Sequence, residues 1–381
     1  MSTHTHASNT GGNAKAKKTV IGIIAIAAIA VIAFFGTQNR NRNDDANTVT
    51  IGAILPLTGK SADLGNGVRV GLETVVHERN ADKKTNYKIE YFDTQSEAKN
   101  ALTGYTKFKT INRIKFFVTT PSDHALILKP EAIKNESLLF CLTPHSELTK
   151  DNGQLVFRYT ITSLDEVNYQ IHYILNAFPA KQKFFYAPNT ESGLEYVKYF
   201  KEKLSTDLIG TCLYEEDVTT LRNIATANTY KGADCIIIMG STPGMGFLIK
   251  SIREGGYTGP ILANAGFNQP TVLASAGDYA KSVSFSDLDF PYQSNQHKRW
   301  NDEALATYKS SFSSISYLTY GILRIFDEIY TSGVHTPREI GNALSEAKTY
   351  TVKTGDAALE FNARDGGIAP RLRMQTIDDN E

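Results

Sequence analysis

An excess of either charge is missing from this chain: 40 Lys and Arg stand against 40 Asp and Glu in 381 residues. A balanced surface offers no basic stripe to a phosphate backbone, so nucleic acid is not expected as a partner. Cysteine is scarce, and Cys141, Cys212 and Cys235 lack metal-ligand spacing. Cys141 within Leu138-Leu-Phe-Cys-Leu-Thr143 and Cys235 at the head of Cys235-Ile-Ile-Ile-Met239 read as buried strand positions, where a thiol acts as a small hydrophobe. Structural thiols are therefore expected and one disulfide is left open, with no metal and no cofactor. Missing too are a Gly-x-Ser-x-Gly elbow, a His-Glu-x-x-His pair and a phosphate-binding P-loop. The acidic run Glu215-Glu216-Asp217 reads as a solvated loop. A binder is expected, not an enzyme. No repeat of fixed short period occurs.

One apolar run stands out. Val20 to Phe35 contains no polar side chain and follows Lys15, Lys17 and Lys18. As a helix it spans about 24 Å, at the short end for a bilayer crossing. The reading is a disordered cytoplasmic tail over 1–18, an uncleaved transmembrane signal anchor over 19–36 and a polar linker over 37–47, with a cleaved signal peptide as the alternative. Lysines on the leading flank place the N-terminus in the cytoplasm and the rest of this single-pass chain outside the cell membrane.

From Thr48 onward strands and helices alternate, the pattern of parallel sheets covered by helices. Strands are predicted over Val49–Leu57, Tyr87–Asp93, Lys115–Thr119, Ser137–Leu142 and Val156–Tyr159, with helices between the first four. A second series follows, with strands at Lys183–Tyr186, Gly210–Tyr214, Asp234–Met239, Pro260–Ala263 and Val283–Ser286. Ile315, Leu318, Ile322, Ile325, Phe326 and Ile329 form a helical apolar stripe within Ser316–Ser332 and just before it. A hairpin between Thr354 and Gly366 and a strand at Arg371–Ile377 close the chain. Ser61 or Asp63 is expected to cap the first of these helices.

The opening stretch Ile51-Gly-Ala-Ile-Leu-Pro-Leu-Thr-Gly59 precedes Gly65, Gly67 and Gly71. A dinucleotide fingerprint needs its first glycine within a residue or two of the strand end, and here Thr58 to Leu64 intervene. What the stretch resembles is the N-terminal pattern of the type I periplasmic binding proteins, in particular the branched-chain amino acid and amide group of ABC transporters. Leu138 to Pro144 with Glu147-Leu-Thr149, Lys231 to Gly240, Gly259-Pro-Ile-Leu262 and Phe361-Asn362 with Asp365-Gly366 are similar to later segments of that family. The resemblance implies an α/β chain of two doubly wound parallel-sheet lobes joined by a hinge, crossed three times. It places lobe 1 at 48–157 and 288–365 and lobe 2 at 158–287 and 366–381.

Ligands of open α/β sheets sit beyond the carboxyl ends of the strands. By resemblance, Leu64 stands where the family has an aromatic wall. Thr119-Thr-Pro-Ser-Asp123 is similar to a loop that holds a ligand carboxylate, and Ser122 fits best, with a helix cap as its alternative role. Thr143 and Ser146 are further candidate contacts, and His145 reads as a loop residue, with a ligand contact or a pH-sensitive contact as its alternatives. In lobe 2, Asn189 or Glu191 replaces a missing tyrosine. Asn264-Ala-Gly-Phe267 carries no acid for a ligand ammonium, leaving Gly266 and Phe267 as candidates, the latter as an apolar wall or as core. The resemblance implies an extracytoplasmic solute-binding protein that delivers an amino acid, amide or small carboxylate to ABC permease subunits. A membrane-anchored ligand sensor or interaction module of the same fold is the alternative.

Overall fold

The computed structural model describes residues 48–82, 85–177, 182–215, 217–227, 229–346, 348–364 and 367–377. The tail, anchor and linker read from the sequence lie outside these residues, as do Glu216, Asp365 and Gly366. Among the described residues no helix is long and apolar enough to cross a membrane.

The chain runs β1 (Thr48–Leu55), α1 (Ala62–Ala81), β2 (Asn86–Asp93), α2 (Ala98–Thr110), β3 (Phe116–Thr119), α3 (Ser122–Lys134), β4 (Leu138–Cys141) and β5 (Val156–Arg158). It then crosses to α4 (Ser163–Ala177), β6 (Lys183–Pro188), α5 (Glu191–Leu204), β7 (Leu208–Tyr214), α6 (Val218–Thr226), β8 (Cys235–Ile238), α7 (Pro243–Glu254), β9 (Ile261–Ala263), α8 (Pro270–Ala276) and β10 (Val283–Leu288). It returns through α9 (Asn295–Tyr308), α10 (Ser314–Thr331), α11 (Pro337–Leu344), β11 (Thr349–Thr354), β12 (Ala357–Arg364) and β13 (Gly367–Ala369), and ends on β14 (Leu372–Thr376).

Two sheets result. The first is ordered β11-β12-β13-β5-β4-β3-β1-β2 and the second β14-β10-β9-β8-β6-β7. Their central pairs are parallel, β1 with β3, β3 with β4 and β4 with β5 in one, β6 with β7 and β8, β8 with β9 and β9 with β10 in the other. Antiparallel pairs join β11 to β12, β12 to β13 and β10 to β14. Among the described residues the chain passes between sheets after β5, β10 and β13. The last passage falls later than expected, because Gly367 pairs with Arg158 and so holds β13 in the first sheet. Lobe 2 therefore resumes after Ala369, not at 366.

Strands buried on both faces need apolar side chains at every position. In β6, Phe184 and Tyr186 join Ile236, Ile238 and Phe285 on one face, while Phe185 and Ala187 join Ile237, Leu262 and Phe200 on the other. In the first sheet Phe117 and Leu139 pack with Tyr105, Phe108 and Leu128, and Phe116 and Phe140 meet Phe326 of α10 on the opposite face. Cys212 and Cys235 lie on β7 and β8, either side of β6, and all three thiols are free. Burial pushes the Cys141 thiol up, as a structural role requires.

The three early glycines serve packing. A Cβ at Gly67 would meet the Ile315 side chain, and one at Gly71 would press on the Ser316 carbonyl oxygen at 2.5 Å. Helices α1 and α10 therefore lie against one another, and the Ser316 hydroxyl donates to the Gly67 carbonyl at 2.8 Å. Ser61 occupies the N-cap of α1 but makes no side-chain cap bond, and the Asp63 carboxylate is drawn away to Thr271. Three strands or helices were not expected: α8, too short to show a helical period, β11, which moves the hairpin turn to Gly355 and Asp356, and the short β13.

Candidate ligand-binding site

The carboxyl ends of the parallel strands of both sheets border one cavity of about 190 Å³. An apolar cavity of roughly 150 Å³ takes up benzene, so a ligand of amino-acid size fits.

The first-lobe wall is built from loop ends and helix starts. At the end of β2, the Asp93 carboxylate accepts from the Leu57 N–H at 3.0 Å, the Thr58 N–H at 3.2 Å and the Thr58 hydroxyl at 2.7 Å. Partial burial works against its charge, and these donors outweigh it, so its pKa is lowered. The Ser96 hydroxyl donates to the Thr58 carbonyl and accepts from the Ser61 N–H. So pinned, the loop after β1 sets the start of α1, whose Leu64 borders the cavity where Ile315 and Leu318 of α10 continue an aliphatic surface.

Beyond β3, Thr119 and Thr120 donate to the carbonyls of Ile54 and Leu142 and are spent on the fold. Ser122 is not. It is the first residue of α3, makes no capping bond, and its buried hydroxyl meets that of Thr143 after β4. The first N–H groups of a helix have no intrahelical acceptor and attract negative charge. Asp123 beside it bonds the ring of fully buried His124, whose other nitrogen meets the Thr94 hydroxyl at 2.8 Å. Burial would raise Asp123, but the His124 contacts prevail and its pKa is lowered.

The second-lobe wall draws on helices as much as on strand ends. Glu166 of α4 and Tyr196 of α5 reach the cavity beside Gly240, Asn264 and Leu288. Glu166 is almost wholly buried. Its Oε1 accepts from the Ala265 N–H at 3.1 Å and the Ser286 hydroxyl at 2.7 Å, and its Oε2 from the Tyr196 hydroxyl. Gln170 supports the cluster by donating to Ser286 and to the Ala263 carbonyl. Burial raises the Glu166 pKa against the pull of these donors.

Among the described residues, two carboxylates hold hydrogen bonds across the cleft. Asp63 of α1 accepts from the N–H and hydroxyl of Thr271 on α8. Glu195 of α5 accepts from the N–H and hydroxyl of Ser146, with Tyr199 3.2 Å from the same hydroxyl. Each carboxylate thus seizes both donors of one residue on the opposite lobe.

Of the residues expected at the site, Leu64, Ser122, Thr143, Glu191 and Gly266 border the cavity. Three do not. Ser146 is engaged by Glu195. Asn189 is turned away, donating to Glu215 at 2.7 Å. Phe267 is fully buried in the lobe-2 core, 5.3 Å from the Phe285 ring, because the apolar interior offers it more contact than the cleft does. His145 is more than a loop residue: its Nδ1 accepts from the Glu147 N–H at 3.3 Å and lies 3.9 Å from Glu195. Reading strand ends alone missed Glu166 and Tyr196. The signal was present in α4, where Ser163, Glu166, Val167, Gln170, Ile171 and Ile174 form one buried stripe. An acid on such a stripe marks a site or a buried network.

A family model described as periplasmic binding protein matches residues 48–381. No curated protein matches the chain. Among solved structures, the branched-chain amino acid transporter substrate-binding protein LivJ of Streptococcus pneumoniae, in complex with isoleucine, is similar with a TM-score of 0.77 at 21% identity, over 88% of this chain and 97% of that one. A possible leucine/isoleucine/valine-binding protein of Rhodopirellula baltica gives 0.75 at 18% identity, over 88% and 95%. A solute-binding protein of an R. palustris ABC transporter, in complex with 4-hydroxybenzoate, gives 0.74 at 13% identity, over 88% and 94%. These relatives are solute-binding proteins, not enzymes, and at such identities the likeness is one of fold.

Proposed function

The chain belongs to the periplasmic binding protein family, and from that premise we propose that it captures a small amino acid- or amide-like molecule between its lobes and delivers it to an ABC importer. One observation carries the reading. The Ser122 and Thr143 hydroxyls, at the first turn of α3, border the same cavity as the carboxylate of Glu166 and the aliphatic side chains of Leu64, Ile315 and Leu318. Hydroxyl and N–H donors suit a carboxylate or amide, a carboxylate suits an ammonium, and the aliphatic surface suits an unbranched or branched hydrocarbon side chain. Function then lies in closure: a ligand touching both walls favours the state in which they are close.

A thermal-shift screen of amino acids, amides and small carboxylates tests this reading. A ligand present at about 100 times its Kd stabilises by roughly 2.7 kcal/mol, a readily measured rise. Silence across all three classes would contradict it. The apolar run Val20–Phe35 supports membrane attachment with the N-terminus inside. External protease should then degrade the domain and leave a small N-terminal fragment, whereas a soluble chain beginning after Phe35 would mean a cleaved signal.

A further inference from the structure

The loop after β9 cannot supply an acid to the cleft. A Cβ at Gly266 would overlap the Gly240 carbonyl oxygen, and Asn264 is held by the Gly240 N–H at 3.1 Å. Elsewhere around the cavity, Asp123 is paired with His124 and Glu191 is exposed. Glu166 differs from both. It is buried in the wall, three neutral donors converge on it, and among the described residues no cation pairs with it. Its Oε2 takes only the Tyr196 hydroxyl, which leaves that oxygen able to accept again.

We propose that Glu166 is the specificity-determining acid of this cleft and recognises the ammonium of the ligand from helix α4. The proposal rests on the amino-acid side of the function just given. Oε2 receives the ammonium while Oε1 stays anchored by Ala265 and Ser286. Burial alone disfavours the ionised carboxylate, and a cation beside it restores the charge. A ligand of the same shape without the amine leaves that buried acid uncompensated, so the site rejects it.

L-leucine and 4-methylpentanoate, which share a carbon skeleton and differ by the amine, separate the possibilities in calorimetric titrations of the purified protein. The wild type is expected to bind L-leucine at least about 30-fold more tightly. Glu166→Gln should weaken L-leucine by roughly that factor and leave 4-methylpentanoate unchanged or improved. Glu166→Asp, which keeps the charge on a shorter stem, should retain preference for the amine and serves if the Gln variant fails to fold. Equal losses for both ligands in Glu166→Gln, or preference for the amine that survives it, would overturn this assignment while leaving amino-acid capture standing. A wild type that binds the acid as tightly as the amino acid, or neither ligand at millimolar concentration, would overturn the assignment and the amino-acid reading together.

Discussion

The two walls of the cleft hold their carboxylates in opposite ways. On the first lobe, Asp93 and Asp123 collect donors near the surface and are held below the usual carboxylate range. On the second, Glu166 and Asp287 are buried, and burial lifts them, Asp287 to about 7. Asp287 is the penultimate residue of β10, where it accepts from the Leu288 N–H, Asn268 and Gln375 and feels the charge of Arg373. The first wall has settled its negative charge and offers hydroxyls and helix N–H groups. The second keeps a carboxylate short of positive charge. Such walls orient a molecule with an anionic or carbonyl end toward lobe 1 and a cationic end toward lobe 2.

That contrast makes the lobes respond oppositely to pH, and this is the largest effect expected. A carboxylate whose folded pKa is raised contributes stability that is complete below its unfolded value near 4 and is lost as pH climbs through the folded value. For Asp287 the span from 3.8 to about 7 amounts to something on the order of 4 kcal/mol. Lowered groups behave in reverse: the stability from Asp93 and Asp123 is present above about pH 4 and lost as pH falls below it. Hydrogen exchange, corrected for intrinsic rates, should show lobe 2 loosening as pH rises from about 4 to 7 and levelling off above that, and lobe 1 loosening first below pH 4. Uniform loosening of both would break the comparison.

A smaller effect concerns the β9 loop. Gly266→Asp would place a Cβ into the Gly240 carbonyl, with a cost on the order of 3 kcal/mol and a fall in Tm of roughly 5–10 °C. An unchanged Tm in a melting scan would show that this loop is free to move and can carry an acid after all.

Next comes the neutral wall. Ser122→Ala removes one of two facing hydroxyls and no helix cap, so the unliganded Tm should hardly move. Affinity should fall by about tenfold to a hundredfold, from roughly 1–3 kcal/mol of lost pairing in a closed site. A loss of stability with unchanged affinity would return Ser122 to a purely structural role.

The smallest effect belongs to the bridging contacts. Thr271→Val and Ser146→Ala each remove one hydroxyl from Asp63 or Glu195, and each should weaken binding by about fivefold through the population of the closed state. The loss should appear as faster dissociation in stopped-flow traces, alike for every ligand, because neither residue borders the cavity. A change in ligand preference would mean that the bridges reach the site.

These contrasts also explain what the sequence made legible. The parallel strands announce themselves through runs such as Phe184-Phe-Tyr186 and Cys235-Ile-Ile-Ile238, since burial on both faces leaves no room for polar residues. Ser122 and Thr143 could be placed beside the cavity from sequence because hydroxyls just beyond strand ends occupy positions set by the backbone alone. Glu166 was not, because a helical side chain reaches the cleft only through packing: α4 must lie against α5 for Glu166 and Tyr196 to meet. Phe267, left open between wall and core, needed the fold for the mirror reason. It follows a strand, yet the short helical turn Ala265–Asn268 rotates its ring into the core. Loop chemistry is local and readable, whereas groups placed by tertiary contact require the fold.

The most direct test of this account is a crystal structure of the protein with bound L-leucine. The account predicts the ligand carboxylate within hydrogen-bond distance of the Ser122 and Thr143 hydroxyls and the first turn of α3, its ammonium against Glu166 Oε2, and its side chain on Leu64, Ile315 and Leu318. A ligand lying with its ammonium toward α3, or seated outside the cleft, would contradict it.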